Sequence, residues 1–164
     1  MPGNIAVARS DTLRSGPAIS GTLIADREAR IRAEMSGAVL QTYAEAGEPV
    51  REGTVLARLD ESNVRGAVLS ARSAVTQITV ADEQAARELQ RAKTLAAAGA
   101  IAERDVESAT NANLGTQAAL ADAKSRLESA EKSLRNATIR APFAGIVAER
   151  AVSPGDVVSP GSAL

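Results

Sequence analysis

Residues 50–141 contain no proline, although Pro2, Pro17 and Pro49 precede this stretch and Pro142, Pro154 and Pro160 follow it. A proline costs about 3 kcal/mol inside a helix, so a long proline-free run rich in Ala, Glu, Arg and Gln predicts helix. The apolar residues of that run recur every seven positions. Val106, Asn113, Leu120, Leu127 and Leu134 make one row, and Ala109, Thr116, Ala123, Ala130 and Ala137 make a second, three residues on. Upstream, the row Val64, Ala71, Ile78, Ala85, Ala92 runs beside Val68, Val75, Asp82, Leu89, Ala96, broken at Asp82. Rows of this kind are the a and d positions of a coiled-coil seam. The other faces carry the acid-first pairs Glu83–Arg87, Asp122–Arg126, Glu128–Lys132 and Glu131–Arg135. Each such pair is worth about 0.2–0.5 kcal/mol.

Ala98-Gly99-Ala100 separates the two runs, and Gly99 can take the left-handed conformation that closes a helix. Glu103, Asp105 and Glu107 then fall in the first turns of the next helix, where the macrodipole favours acid. The sequence therefore predicts an antiparallel hairpin with arms at about 61–97 and 102–136. At 1.5 Å per residue each arm is roughly 50 Å long. Asp60 or Ser62 is placed to cap the first arm.

The flanks hold a repeat. Residues 36–56 align without a gap on 144–164, an offset of 108. Gly37/Gly145, Val39/Val147, Gly47/Gly155, Val50/Val158, Gly53/Gly161 and Leu56/Leu164 are identical, and Glu48/Asp156 and Ala38/Ile146 are similar. Each copy reads as strand, turn, short strand, turn, strand, with the glycines supplying positive φ. One copy is too short to bury a face alone, whereas two together can close a small β-sandwich. The chain order then splits the sandwich around the hairpin. The fold expected is α+β: a split β-sandwich of 21–60 plus 137–164, interrupted by a helical hairpin at 61–136. Residues 1–20 are expected to be an extended N-terminal segment.

Composition narrows the function. Hydrophobic residues make up 45% of the 164 residues but aromatics only 1%, and 35 residues are alanine. Such a chain favours closely approaching helices and has no aromatic platform for bases or sugars. Zero Cys and zero His exclude thiol nucleophiles, His bases, disulfides, haem ligation and the usual zinc sites. The net charge of −1 gives no overall attraction to nucleic acid or anionic lipid. No run of 18 apolar residues and no signal-peptide pattern occur, so any anchor or signal is expected outside this chain. Acid pairs such as Asp60-Glu61 lack a His, Cys or Ser-base partner, and no cofactor, metal or enzymatic activity is expected.

SGAV at 36–39, the AGEPVREGTVLARLD run ending at Asp60, NATIRAPFAGIV at 136–147 and the closing SPGDVVSPGSAL carry a resemblance. Around the heptad hairpin, they make the chain similar to the periplasmic adaptors, or membrane fusion proteins, of the HlyD-like family in Gram-negative efflux systems. Hairpin length resembles most the adaptors of resistance–nodulation–division pumps. The resemblance implies a lipoyl-like split sandwich, or barrel-sandwich hybrid, and a hairpin reaching towards an outer-membrane channel. It implies that a β-barrel and a membrane-proximal domain lie outside this chain. It also implies a non-enzymatic link between an inner-membrane transporter and an outer-membrane channel for export of drugs or metals. Implied with it are self-association into a ring, expected to be a hexamer, and a periplasmic location associated with the inner membrane.

The family often carries Arg, Leu four residues on and Ser seven further, near the hairpin tip. Arg91 and Leu95 match, and Ala102 stands where Ser is usual. With Gly99 and Ile101 these residues form the expected channel-docking tip. Three alternatives stand beside this reading. One is an adaptor of an ABC-type or type I secretion exporter. Another is a generic coiled-coil interaction protein. The third, a lipoyl or biotinyl carrier, needs a lysine on the turn joining the halves, yet Lys93, Lys124 and Lys132 all fall within the expected arms.

Overall fold

A computed structural model describes residues 27–164. The expected extended segment 1–20, and positions 21–26 of the expected sandwich, lie outside the described residues. The element order is β1 (Gly37–Thr42), β2 (Pro49–Val50), β3 (Val55–Leu59), α1 (Ser62–Ala97), α2 (Glu103–Asn136), β4 (Thr138–Arg140), β5 (Gly145–Ile146) and β6 (Val157–Val158). The helices bear out the heptad reading. Every residue of the four rows is buried or half-buried, with Val68, Ala92, Asn113, Ala123 and Ala137 the most enclosed.

The outer faces are less regular than the spacing suggested. Asp122 and Arg126 pair at 2.9 Å, and Glu83 and Arg87 approach to 3.9 Å. Glu131 does not pair with Arg135. It crosses to Arg72 of the other arm at 2.9 Å, because half-burial beside the seam points it across the hairpin rather than along its own helix. Glu128–Lys132 is not among the ion pairs within 4.0 Å of the described residues. Capping also differs. Glu61 is the N-cap of α1 and its side chain makes no cap bond, while Asp60 accepts from both the backbone N–H and the hydroxyl of Ser62.

The strands form a four-stranded sheet, in the order β4-β3-β1-β6, and a two-stranded sheet, β2-β5. The sequence repeat becomes a two-fold relation between the halves. Gly37 and Ala38 pair with Val158 and Val157, and their equivalents Gly145 and Ile146 pair with Val50 and Pro49. Gly47 N–H donates to the Val147 carbonyl at 2.7 Å, and Gly155 N–H to the Val39 carbonyl at 2.8 Å. Gly53 N–H reaches the Ala141 carbonyl and Gly161 N–H the Ala33 carbonyl, both at 2.8 Å. Each half thus satisfies part of its backbone on the other half, as in an isologous interface. The four turn glycines have φ of 79–95°, and nothing lies within 4 Å of where a Cβ would stand. Backbone conformation, rather than crowding, requires glycine there.

The second copy is the weaker one. β5 and β6 have two residues each, and its last strand is reduced to the single bridge Arg32–Ala163. The repeat also begins earlier than the alignment from 36 suggested. Ile31-Arg32-Ala33 matches Ile139-Arg140-Ala141 at the same offset. Arg32 Nη1 donates to the Gly161 carbonyl at 3.2 Å and Arg140 Nη1 to the Gly53 carbonyl at 2.9 Å. The core between the halves is thin: Leu59, Val39, Val158, Ile139 and Val152 among Ala33, Ala57 and Ala137.

Candidate functional site

The hairpin tip is built by a helix stop and a helix start. α1 ends at Ala97 with Ala98 as its C-cap, and Gly99 at φ 72° turns the chain left-handed. Gly99 N–H then bonds the Ala96 carbonyl and Ala100 N–H the Leu95 carbonyl, both at 2.9 Å. These are the paired bonds of a Schellman stop, which satisfy two carbonyls the helix end would leave open. α2 starts from Ala102, which is extended and has no side-chain acceptor to offer the first turn. Asp105 compensates in part: its Oδ2 accepts from Ala102 N–H at 3.2 Å while its own N–H reaches the Ala102 carbonyl at 3.0 Å.

Leu95, Gly99, Ile101 and Ala102 therefore share one end of the molecule. Leu95 is 39% exposed, whereas Ile101 is half-buried rather than open. Arg91 lies two helical turns below Gly99, roughly 12 Å along the axis at 1.5 Å per residue. Its guanidinium is held by Glu88 Oε2 at 3.2 Å on the exposed surface. The tip thus offers one apolar side chain, a second partly covered one and a cation tied along the helix. None of these groups forms a catalytic pair, and no group of three His, Cys, Asp or Glu among the described residues is placed to hold a metal.

At the other end the arms enter the sheet directly, β3 into α1 and α2 into β4. Asp60 sits at this junction. Its carboxyl is held below the ordinary range first by the Ser62 hydroxyl and then by the Ser62 N–H. Both bonds favour the charged form.

Two features escaped the reading of the sequence. The Arg32/Arg140 pair was signalled by identical tripeptides that lie before the aligned segment. Asp82 registered only as a break in a row, although Thr116 Oγ1 stands 2.8 Å from its Oδ1. No helix among the described residues is long and apolar enough to cross a membrane.

The chain is similar to known proteins over nearly all its described length. The MtrC membrane fusion protein of Neisseria gonorrhoeae is 30% identical over 143 residues, which cover 87% of this chain and 35% of MtrC. The nodulation protein NolF of Rhizobium meliloti is 27% identical over 140 residues, covering 85% of this chain and 38% of NolF. This chain thus spans little more than a third of those relatives. Among solved structures, a MacA–MexA chimera containing the Pseudomonas aeruginosa MexA α-hairpin domain matches with a TM-score of 0.55 at 27% identity. The match covers 83% of this chain and 45% of the chimera. Residues 27–164 match the family model of the barrel-sandwich hybrid domain of RND membrane fusion proteins, and the chain belongs to that family.

Proposed function

We propose that this chain is the sandwich-and-hairpin part of a non-enzymatic adaptor that links an inner-membrane transporter to an outer-membrane channel. It serves the export of small molecules, drugs or metals. The observation that carries this reading is a β unit that holds both helices of a long arm at their base, so that the arm's far end stands well away from it. In the full-length adaptor, 21–60 with 137–164 form one body, 61–136 form the arm, and a β-barrel and membrane-proximal domain lie nearer the inner membrane.

Arg91, Leu95, Gly99, Ile101 and Ala102 form the channel-docking surface. Several copies pack side by side into a ring, a hexamer in the finer form of the proposal. The middle of the hairpin supports lateral packing. Ser73–Ala81 and Ser108–Ala121 contain no charged residue, and Val80 and Leu114 there are 58% and 56% exposed. Uncharged surface with exposed apolar groups favours contact with another copy.

The test replaces tip residues in the full-length adaptor. Leu95→Asp with Ile101→Asp is expected to keep helicity, since neither residue is fully buried, and to abolish export, since docking would desolvate two carboxylates. Leu127→Asp, in the seam, is the control: it should lose helical circular dichroism instead. A tip double variant that stays folded and restores full export in a complementation assay removes these residues from the docking surface.

A further inference from the structure

The hairpin seam contains one polar layer, near the middle of both arms. Asp82 of α1 and Asn113 and Thr116 of α2 occupy rows otherwise filled by Ala, Val, Leu and Ile. Thr116 Oγ1 lies 2.8 Å from Asp82 Oδ1 and 2.9 Å from the Asn113 carbonyl oxygen. A hydroxyl has one proton, so it serves one of these acceptors at a time. Asn113 is only 8% exposed, and its side-chain Oδ1 has no partner. A buried acceptor left unpaired lowers stability, so affinity between the arms does not explain this layer.

The apolar layers have a weakness the polar layer corrects. They repeat every seven residues, so sliding one arm by a heptad refills them with equivalents: Leu127 takes the place of Leu120, and Ala130 that of Ala123. The tip offers limited resistance. Ala98 and Ala100, beyond the end of α1, are strong helix formers, and α1 can lengthen through them and across Gly99 while α2 starts later. That slide moves one arm by about 10 Å against the other. It carries Asp82 opposite Ala123, Thr116 opposite Leu89 and Asn113 opposite Ala92, none of which offers a side-chain partner.

We infer that the Asp82–Asn113–Thr116 layer sets the register of the two arms and thereby the position of the tip turn. A polar group at a seam position can specify alignment at a cost in stability. The inference does not depend on what the tip docks to. It applies to the isolated chain as much as to the assembled adaptor.

The chain has no cysteine, so introduced pairs report register without background. Ala85 and Ala112 line one shallow groove between the arms, so A85C with A112C reports the native register. A85C with A119C reports the one-heptad slide. Both pairs are oxidised in the 164-residue chain, with the layer intact and with Asp82→Leu, Asn113→Leu and Thr116→Val combined. With the layer intact, the native pair should close at least about tenfold faster than the slid pair. In the apolar background the excess of the native over the slid rate should fall at least about threefold while helicity is kept, the paired strands β3 and β4 retaining the remainder. Thr116→Ser, which keeps the hydroxyl, should retain the native preference. An unchanged preference in the apolar background overturns the inference and leaves the Gly99 turn and the β3–β4 pairing at the base of the arms to set the register. Loss of helicity in that background also overturns it, because the layer would then hold the hairpin together rather than align it.

Discussion

Replacing Leu59 with alanine is the sharpest probe of the sandwich. Leu59 is, among the described residues, the largest side chain with no exposed surface, and it sits among Val39, Ile139, Val152 and Val158. The substitution removes three carbons, worth about 2.4 kcal/mol at about 0.8 each. The remaining neighbours Ala33, Ala57 and Ala137 have no side-chain length with which to close the gap. A residual cavity of roughly 75 Å³ adds about 1.8 kcal/mol at about 24 cal/mol per Å³, for a total near 4 kcal/mol. A β unit of roughly 60 residues has an expected stability of only about 3–9 kcal/mol, so the variant should stand close to unfolding.

The two parts of the molecule can be read separately. Tyr43, the single tyrosine, follows β1 and reports the sandwich by its fluorescence, while far-UV circular dichroism reports the helices. In urea, Leu59→Ala should bring the tyrosine transition to much lower denaturant, with a smaller change in the helical signal because the seam lies outside the cavity. A loss under about 1.5 kcal/mol would mean that the halves do not pack around Leu59, and the thin-core account would be wrong.

Two further expectations concern the turns and the junction. Gly47→Ala and Gly155→Ala should each destabilise by about 1 kcal/mol, through left-handed backbone rather than a clash, and by similar amounts. Urea titration checks this, and a silent change at one of them would break the equivalence of the halves. Asp60 has a lowered folded pKa, so its contribution is present above the unfolded value and is lost as pH falls through the folded one. The thermal midpoint of Asp60→Asn should therefore lie below that of the parent at neutral pH and converge with it in acid. A gap that persists unchanged at low pH would assign the effect to something other than the carboxylate's charge.

The hairpin was legible because its signals are local. Proline exclusion, heptad rows and Gly99 each act within a few residues, and the helices fall within a residue or so of the expected ends. The repeat was legible as glycine and valine spacing, since four turns demand the same backbone. The exchange of hydrogen bonds between halves was not, because it depends on which strand meets which across more than a hundred residues. Glu131 shows the same limit on a helix. Sequence spacing offers it Arg135, and the packed hairpin offers it Arg72, a partner that only tertiary structure supplies. Asp82 looked like a flaw in a row until Thr116 stood opposite it.

The reciprocal halves also explain why a long arm can leave so small a core without loosening it. Leu59 N–H bonds the Ala137 carbonyl and Asp60 N–H the Ala38 carbonyl, both at 2.8 Å, within a residue or two of the points where the arms depart. β3 and β4 are hydrogen-bonded neighbours, so separating the arms at their base would open the four-stranded sheet itself. Farther out, Arg72–Glu131 and Thr116–Asp82 cross the seam at two heights. Exposed ion pairs contribute little energy, but two cross-links and a shared sheet constrain sliding and splaying together. Both arms are anchored at the junction between the halves, where each strand is paired with the other copy. A two-fold sandwich split by a hairpin thus ties the base of both arms into one four-stranded sheet.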